Sequence, residues 1–186
     1  RPVSPDSALL DLAMWLEERS EHAMAQVARA IGASSPLGMR YELPGPVGES
    51  NIYALRPRGT ILLRPMTRQG LFHQLAAALA TGNDACVEAD PALLATETDL
   101  PGGVRQRIRA EAPDLSAALV EGEGESILAT LRDMAARPGA VIPVYAALPA
   151  RMLSPGAYPL HGLVEELSIS INTTASGGNA RLMDIG

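Results

Sequence analysis

Residues 120–126 read Val-Glu-Gly-Glu-Gly-Glu-Ser, and this is the stretch whose residue types most invite chemistry. Three carboxylates, Glu121, Glu123 and Glu125, could form an acid/base set, hold a metal, or cap a helix. Alternating acids point apart in an extended segment and scatter round a helix. His22, His73 and His161 are far apart and show no ligand spacing, so a metal site is unsupported. The stretch stands between a strand pattern and a helix pattern, the position of a phosphate-binding turn. It lacks the Gly-x-Gly-x-x-Gly fingerprint. Its charges would repel a pyrophosphate but suit a helix N-terminus, and capping is the favoured reading.

Nucleophilic candidates are few. Cys86 is the only cysteine and sits in the apolar run Ala-Cys-Val-Glu-Ala, which reads as core. An internal disulfide is excluded, and a reducing compartment fits. There is no Gly-x-Ser-x-Gly elbow. All fifteen basic residues are arginine. Lysine Schiff-base chemistry, pyridoxal phosphate attachment and a P-loop lysine are therefore absent together. Arg105, Arg107 and Arg109 fall on different sides of a predicted helix and read as a solvated face. His73, beside Phe72 on a helix, reads as packed or partly exposed. A last candidate is Gly177-Gly178 near the chain end. A phosphate loop needs a helix behind it, and Asn179–Gly186 is too short for one without packing. An alternating strand followed by glycines and an apolar Leu182-Met183 fits docking on a neighbouring surface better.

The elements that must position these residues follow from pattern. The chain has 186 residues, 47% apolar and 19% charged, with 3% aromatic, so its core rests on Ala, Leu, Val and Ile. A net charge of −6 argues against nucleic acid and against anionic membrane as main partners. No apolar run approaches the length of a membrane span, and no signal peptide is visible. The first residue is Arg1 rather than methionine, which fits a fragment of a longer protein. Residues 4–31 read as one helix, capped by Ser4, started by Pro5 and stopped by Gly32. Its stripe is Leu9, Leu12, Ala13, Leu16, Ala23, Val27 and Ile31. Trp15 and Met14 lie off that stripe, either as partly covered residues or as a contact with absent chain.

Residues 33–59 form a projecting hairpin arm or a surface loop, with strands at Met-Arg-Tyr-Glu-Leu and Asn-Ile-Tyr-Ala-Leu-Arg-Pro. From Thr60, strands alternate with helices: strands near 60–66, 85–89, 115–122 and 140–146, and helices near 68–82, 104–113 and 125–137. That alternation predicts an α/β fold with a Rossmann-like, largely parallel sheet of four or five strands. A last strand runs from Val164, with Ile169 and Ile171 on one face and Ser168, Ser170 and Asn172 on the other. The expected domains are residues 1–32 as an N-terminal linker helix, 33–59 as the β-hairpin arm, 60–150 as the Rossmann-like core, and 151–186 as crossover and C-terminal docking motif.

The closing Ser-Ile-Ser-Ile-Asn-Thr-Thr-Ala-Ser-Gly-Gly-Asn-Ala-Arg-Leu-Met-Asp-Ile-Gly, residues 168–186, resembles the terminal motif of the bacterial bifunctional proline-catabolic flavoenzymes called PutA. Thr174 and Ser176 stand where that motif has alanines, Arg181 where it has serine and Asp184 where it has threonine. Leu-Pro-Gly-Pro-Val-Gly-Glu-Ser-Asn-Ile-Tyr-Ala-Leu-Arg-Pro-Arg-Gly resembles a second stretch of the family, after its dehydrogenase module. Gln-Leu-Ala-Ala-Ala-Leu-Ala-Thr-Gly-Asn-Asp resembles a helix–turn of the aldehyde dehydrogenase superfamily. The resemblance covers residues from about 37 to 186.

The resemblance implies a C-terminal, non-catalytic domain in a parent that oxidises proline on FAD and then glutamate semialdehyde on NAD, passing the intermediate through a tunnel. It implies docking on the dehydrogenase module of the same chain, in imitation of the subunit contact of aldehyde dehydrogenases, and sealing of that tunnel. Ile169, Ile171, Asn172, Gly177, Gly178, Asn179, Leu182 and Met183 would carry the contact. No catalytic, cofactor or metal residue is expected in the segment. Glu88-Ala89-Asp90 stand where the superfamily has a nucleotide-contacting Lys-Pro-Ser, and Val120-Glu121-Gly122-Glu123 where it has Phe-Thr-Gly-Ser. The implied location is cytoplasmic, with the parent peripheral at the inner membrane as one option, and a homodimer is a further option. The alternatives are a small NAD-binding oxidoreductase and a free-standing oligomerisation module.

Overall fold

The structure is a computed structural model that describes residues 6–45, 48–95 and 99–172. Its centre is a strand of alternating commitment. In β3, Thr60–Arg64, Ile61 and Leu63 face one hydrophobic cluster and Leu62 faces another, so the strand must be covered on both sides. β4 (Asp84–Val87) and β6 (Leu115–Glu121) flank it in parallel, and β5 (Ile108–Arg109) and β7 (Val144–Ala147) complete the order β5-β4-β3-β6-β7. This is the expected Rossmann-like layer, with five strands.

Helix α3, Arg68–Ala80, follows β3. It is buried from Gly70 to Ala80, because the sheet lies on one side and two N-terminal helices on the other. A helix covered all round has no polar stripe to show. The chain turns out of it at Gly82, whose φ of +71° is costly for a side-chain-bearing residue. Asn83 then locks the turn. Its Oδ1 accepts from the Gly59 amide at 2.8 Å, and its Nδ2 donates to the Leu163 carbonyl at 2.8 Å.

The predicted single helix over 4–31 is two: α1, Ser7–Glu18, and α2, His22–Ala33. Ser20 takes the left-handed conformation, φ +62°, and the Glu21 amide donates back to the Leu16 carbonyl at 2.9 Å. That is a helix stop made without glycine. The break folds α2 back on α1, and both pack on α3, so Met24, Ala25 and Ala28 are buried while Ala23 is exposed. Asp6 caps α1 by accepting from the Ala8 amide; Ser4 and Pro5 lie outside the described residues. Gly32 does not end α2 but lies within it, pressed so close to Leu9 that a Cβ would collide. Trp15 is core, edge-on to Phe72 with centroids 5.5 Å apart, while Met14 is exposed.

The predicted helix over 104–113 is also shorter. Helix α5 stops at Gln106 (Gly102–Gln106), after the short α4, Pro91–Ala95. Arg107 reaches into the fold instead. It donates to Asp84 Oδ1 at 2.6 Å, to Asp6 Oδ2 at 2.7 Å and to the Gly82 carbonyl at 2.6 Å. Ile108-Arg109 can then pair with β4, and Arg109 joins Arg107 on Asp84. Burial alone would raise the Asp84 carboxyl; hydrogen bonds from Arg109 and Arg107 outweigh it and hold the group below its ordinary range. The arginines are thus a structural tie rather than a solvated face, Arg105 excepted.

A second, antiparallel sheet has the order β1-β2-β8. The expected hairpin forms between β1, Arg40–Leu43, and β2, Glu49–Pro57. β8, Val164–Asn172, pairs with β2 from Pro57↔Val164 to Glu49↔Asn172. β2 passes into β3 through Arg58 and Gly59 alone, and this joint is clamped. Arg58 Nε donates to the Val164 carbonyl at 3.2 Å, and Ser116 Oγ donates to the Arg58 carbonyl at 2.9 Å.

Buried polar groups on α3 anchor the segment between β7 and β8. His73 Nδ1 donates to the Met152 carbonyl at 2.8 Å, and Gln74 Nε2 donates to Tyr158 Oη at 2.8 Å. Burial pushes the His73 pKa down; the Met152 carbonyl and the charge of Glu121 oppose this without reversing it. The unfolded chain therefore binds the His73 proton more readily than the folded one. Stability present above the unfolded pKa of about 6.5 is lost as pH falls through it toward the lower folded value. Urea denaturation at pH 7.5 and 5.8 should show that loss, and His73→Gln should flatten the slope.

Candidate functional site

In a parallel sheet whose strand order reverses, ligands bind beyond the carboxyl ends at the reversal. Here that point lies between β3 and β6, and a cleft of about 550 Å³ opens there, lined among others by Arg64, Met66, Glu88, Asp90, Glu121 and Ser126. The amides at the start of α3 are where an anionic group would be held, since a helix N-terminus presents unpaired N–H donors and a positive dipole end.

That position is taken by the protein's own carboxylate. Glu121, the last residue of β6, is wholly buried. Its Oε2 accepts from the Met66 amide at 2.7 Å and the Thr67 amide at 2.8 Å, and its Oε1 accepts from Thr67 Oγ1 at 2.7 Å. Thr67 Oγ1 in turn accepts from the Gly70 amide at 3.0 Å, capping α3. Residue 70 must be glycine, because a Cβ there would occupy the space of the Glu121 carboxylate. The expected cap from the acidic triplet does not form on the helix that follows it, whose N-cap, Gly124, has no side-chain hydrogen bond; the three acids divide instead. Glu125 lies in the first turn of its own helix α6, Glu125–Ala135, Glu123 is exposed, and Glu121 reaches across to α3.

Two further charges of the cleft, Arg64 and Glu88, are paired with each other. Arg64 donates through Nε and Nη2 to Glu88 Oε2, at 3.0 and 2.7 Å, and through Nη1 to Asp133 Oδ2 at 2.7 Å and Thr130 Oγ1 at 3.2 Å. Glu88 follows β4 directly, where dinucleotide folds place the acid that meets a ribose hydroxyl, yet it is tied to Arg64. Cys86 is buried on the opposite side of the sheet from α3, and burial pushes its thiol pKa up, which makes it a poor nucleophile. Among the described residues no group of three or more His, Cys, Asp or Glu is arranged to hold a metal.

The docking candidates divide. Ile169 and Ile171 lie on one face of β8 and are 36% and 47% exposed; Ile169 is opposite Ile52, and Asn172 is opposite Glu49. Ser168 and Ser170 occupy the other face, as expected, and Ser170 Oγ donates to Asn51 Oδ1 at 2.5 Å. β8 is paired inside the chain along its whole length, so a neighbour can meet only its outer edge or its side chains. Gly177, Gly178, Asn179, Leu182 and Met183 lie outside the described residues. Pattern reading missed a second apolar surface. On α6, Thr130 and Met134 face inward, while Leu128 and Leu131 are exposed, and Val141 nearby is 94% exposed. The signal was present as a second stripe at Leu128, Leu131 and Ala135.

No family model matches the chain. Among curated proteins, the bifunctional protein PutA of Rhizobium meliloti is 49% identical over 191 residues, 99% of this chain and 16% of that protein. PutA of Salmonella typhimurium is 33% identical over 186 residues, 96% of this chain and 14% of that protein. The chain thus spans about one-sixth of the length of these relatives or less. Among solved structures, proline utilization A with proline bound in remote sites has a TM-score of 0.59 at 20% identity, over 77% of this chain and 19% of that one. The substrate-bound Staphylococcus aureus AldH has a TM-score of 0.57 at 12% identity, over 77% of this chain and 41% of that one. At these identities the structural likeness shows the fold, which is that of aldehyde dehydrogenases.

Replacing Glu121 by alanine would remove the acceptor of two part-buried amides, Met66 and Thr67, and leave a cavity where a fully buried side chain stood. Glu121→Ala should lower unfolding stability by about 3 kcal/mol in urea titrations. Gly70→Ala should also destabilise, although alanine ordinarily favours a helix interior.

Proposed function

This chain is homologous to a segment of the bifunctional PutA proteins, and from that premise we propose that it is a non-catalytic domain docking on the semialdehyde dehydrogenase module of its parent. The single observation that carries the reading is the buried Glu121 carboxylate on the Met66 and Thr67 amides, in the turn that enters α3. A pyrophosphate cannot share that place with a buried negative charge. The cleft remains, but its donors are consumed internally. In the parent, proline oxidation on FAD and semialdehyde oxidation on NAD would belong to other modules.

Docking is supported by what the fold leaves uncovered. Ile169 and Ile171 on β8, and Leu128, Leu131 and Val141 beside α6, are large apolar groups in water. Five-sixths of the length of the relatives lies outside this chain and supplies a partner surface in cis. Residues 173–186 would continue the β8 contact. The role is closure: covering an open side of the dehydrogenase module keeps water out and the aldehyde intermediate in. No helix among the described residues is long and apolar enough to cross a membrane. The contact is proposed to be protein on protein, in the cytoplasm. A small NAD-binding oxidoreductase is the second reading, favoured only by the position of Glu88 after β4.

Two measurements separate them. Calorimetric titration of this chain with NAD should give no saturable heat; micromolar affinity would install the oxidoreductase reading. In the full-length parent, deletion of residues 168–186, and separately Ile169→Asp with Ile171→Asp, should slow semialdehyde oxidation several-fold. Both should release intermediate into solution and leave proline oxidation largely intact. Unchanged coupled activity in both variants would remove the closure role.

A further inference from the structure

Away from the cleft, the β4–β5 edge of the parallel sheet is thinly covered, although α3 beneath it is buried. β5 has two residues and α4 has five, none of them buried, so the edge of the sheet carries no full helix over Leu71 and Leu75. The result is a groove of about 370 Å³. Leu71 and Leu75 form its floor, Val87 and Ile108 contribute from the strands, and Leu94 and Leu100 form its walls. Arg105 and Arg109 are among its lining residues.

The two arginines differ. Arg109 is held by Asp84, with 2.8 Å from Nε to Oδ2, whereas Arg105 is exposed and has no ion-pair partner among the described residues. A pocket lined by six aliphatic side chains with one uncommitted cation is complementary to a molecule with an apolar body and a single anionic head. The volume suits a body of medium chain length, and the largely aliphatic lining suits an apolar one.

We propose that this groove binds a small apolar carboxylate, with the hydrocarbon on the partly exposed Val87, Leu94 and Ile108 and the carboxylate on Arg105. The site is separate from the closure role: it lies on the α3 flank, away from β8 and from the exposed stripe of α6.

Octanoate is the probe, titrated into this chain by calorimetry and by methyl NMR. One equivalent should bind with a Kd of about 0.1–1 mM, the range expected for a ten-heavy-atom ligand. Arg105→Glu, a change at an exposed side chain, should weaken binding about tenfold or more. Leu94→Asp, at a partly exposed wall position, should weaken it similarly while leaving the fold intact by circular dichroism. Octanol, which lacks the charge, should bind at least fivefold more weakly than octanoate. Absence of saturable octanoate binding, or equal affinity in the Arg105→Glu variant, would overturn the proposal.

Discussion

A carboxylate buried at the start of a helix organises this molecule. Glu121 supplies the acceptors that the Met66 and Thr67 amides require, and it does so from the neighbouring strand, β6. Three demands meet there. The helix start needs an acceptor, the carboxylate needs donors once it is out of water, and the sheet needs β3 and β6 in register at their carboxyl ends. Gly70 exists to make room for the arrangement. The same contact stitches the turn that enters α3 to β6.

Around that contact the polar groups of the interior answer one another. The Tyr158 hydroxyl donates to the carbonyl of Val120, next to Glu121, and receives the Gln74 amide from α3. Asn83 joins the start of β3 to the residue before β8. Arg107 draws α1, β4 and the Gly82 turn together. A core this poor in aromatic residues gains less from ring packing, and these buried polar ties fix the relative placement of layers that aliphatic packing alone leaves interchangeable.

Much of the fold was legible because its cues are local. The runs around Ile61–Leu63 and Ala117–Val120 announce strands covered on both faces, and Gly82 marks the end of α3. The hairpin of β1 and β2 was readable from the glycines and prolines between them. What escaped were features set by distant partners. The α1–α2 break has neither glycine nor proline; it depends on Ser20 accepting a left-handed conformation so that α2 can return to α3. Arg107 ends α5 because acceptors wait on Asp6 and Asp84, which lie 101 and 23 residues earlier in the sequence. The acidic triplet reads as a cap for the helix after it; nothing local says that Glu121 would serve a helix begun more than fifty positions earlier. The alternation in β8 gave its two faces correctly, while its pairing with β2 is a contact across the whole chain.

The joint between the two sheets has a mechanical meaning. Only Arg58 and Gly59 separate β2 from β3, and both are pinned, by Val164, Ser116 and Asn83. The antiparallel arm is therefore a cantilever rooted in the middle strand of the parallel layer rather than a flap on a swivel. A load applied at its tip is delivered to the centre of the sheet, and the arm and the layer travel as one rigid body.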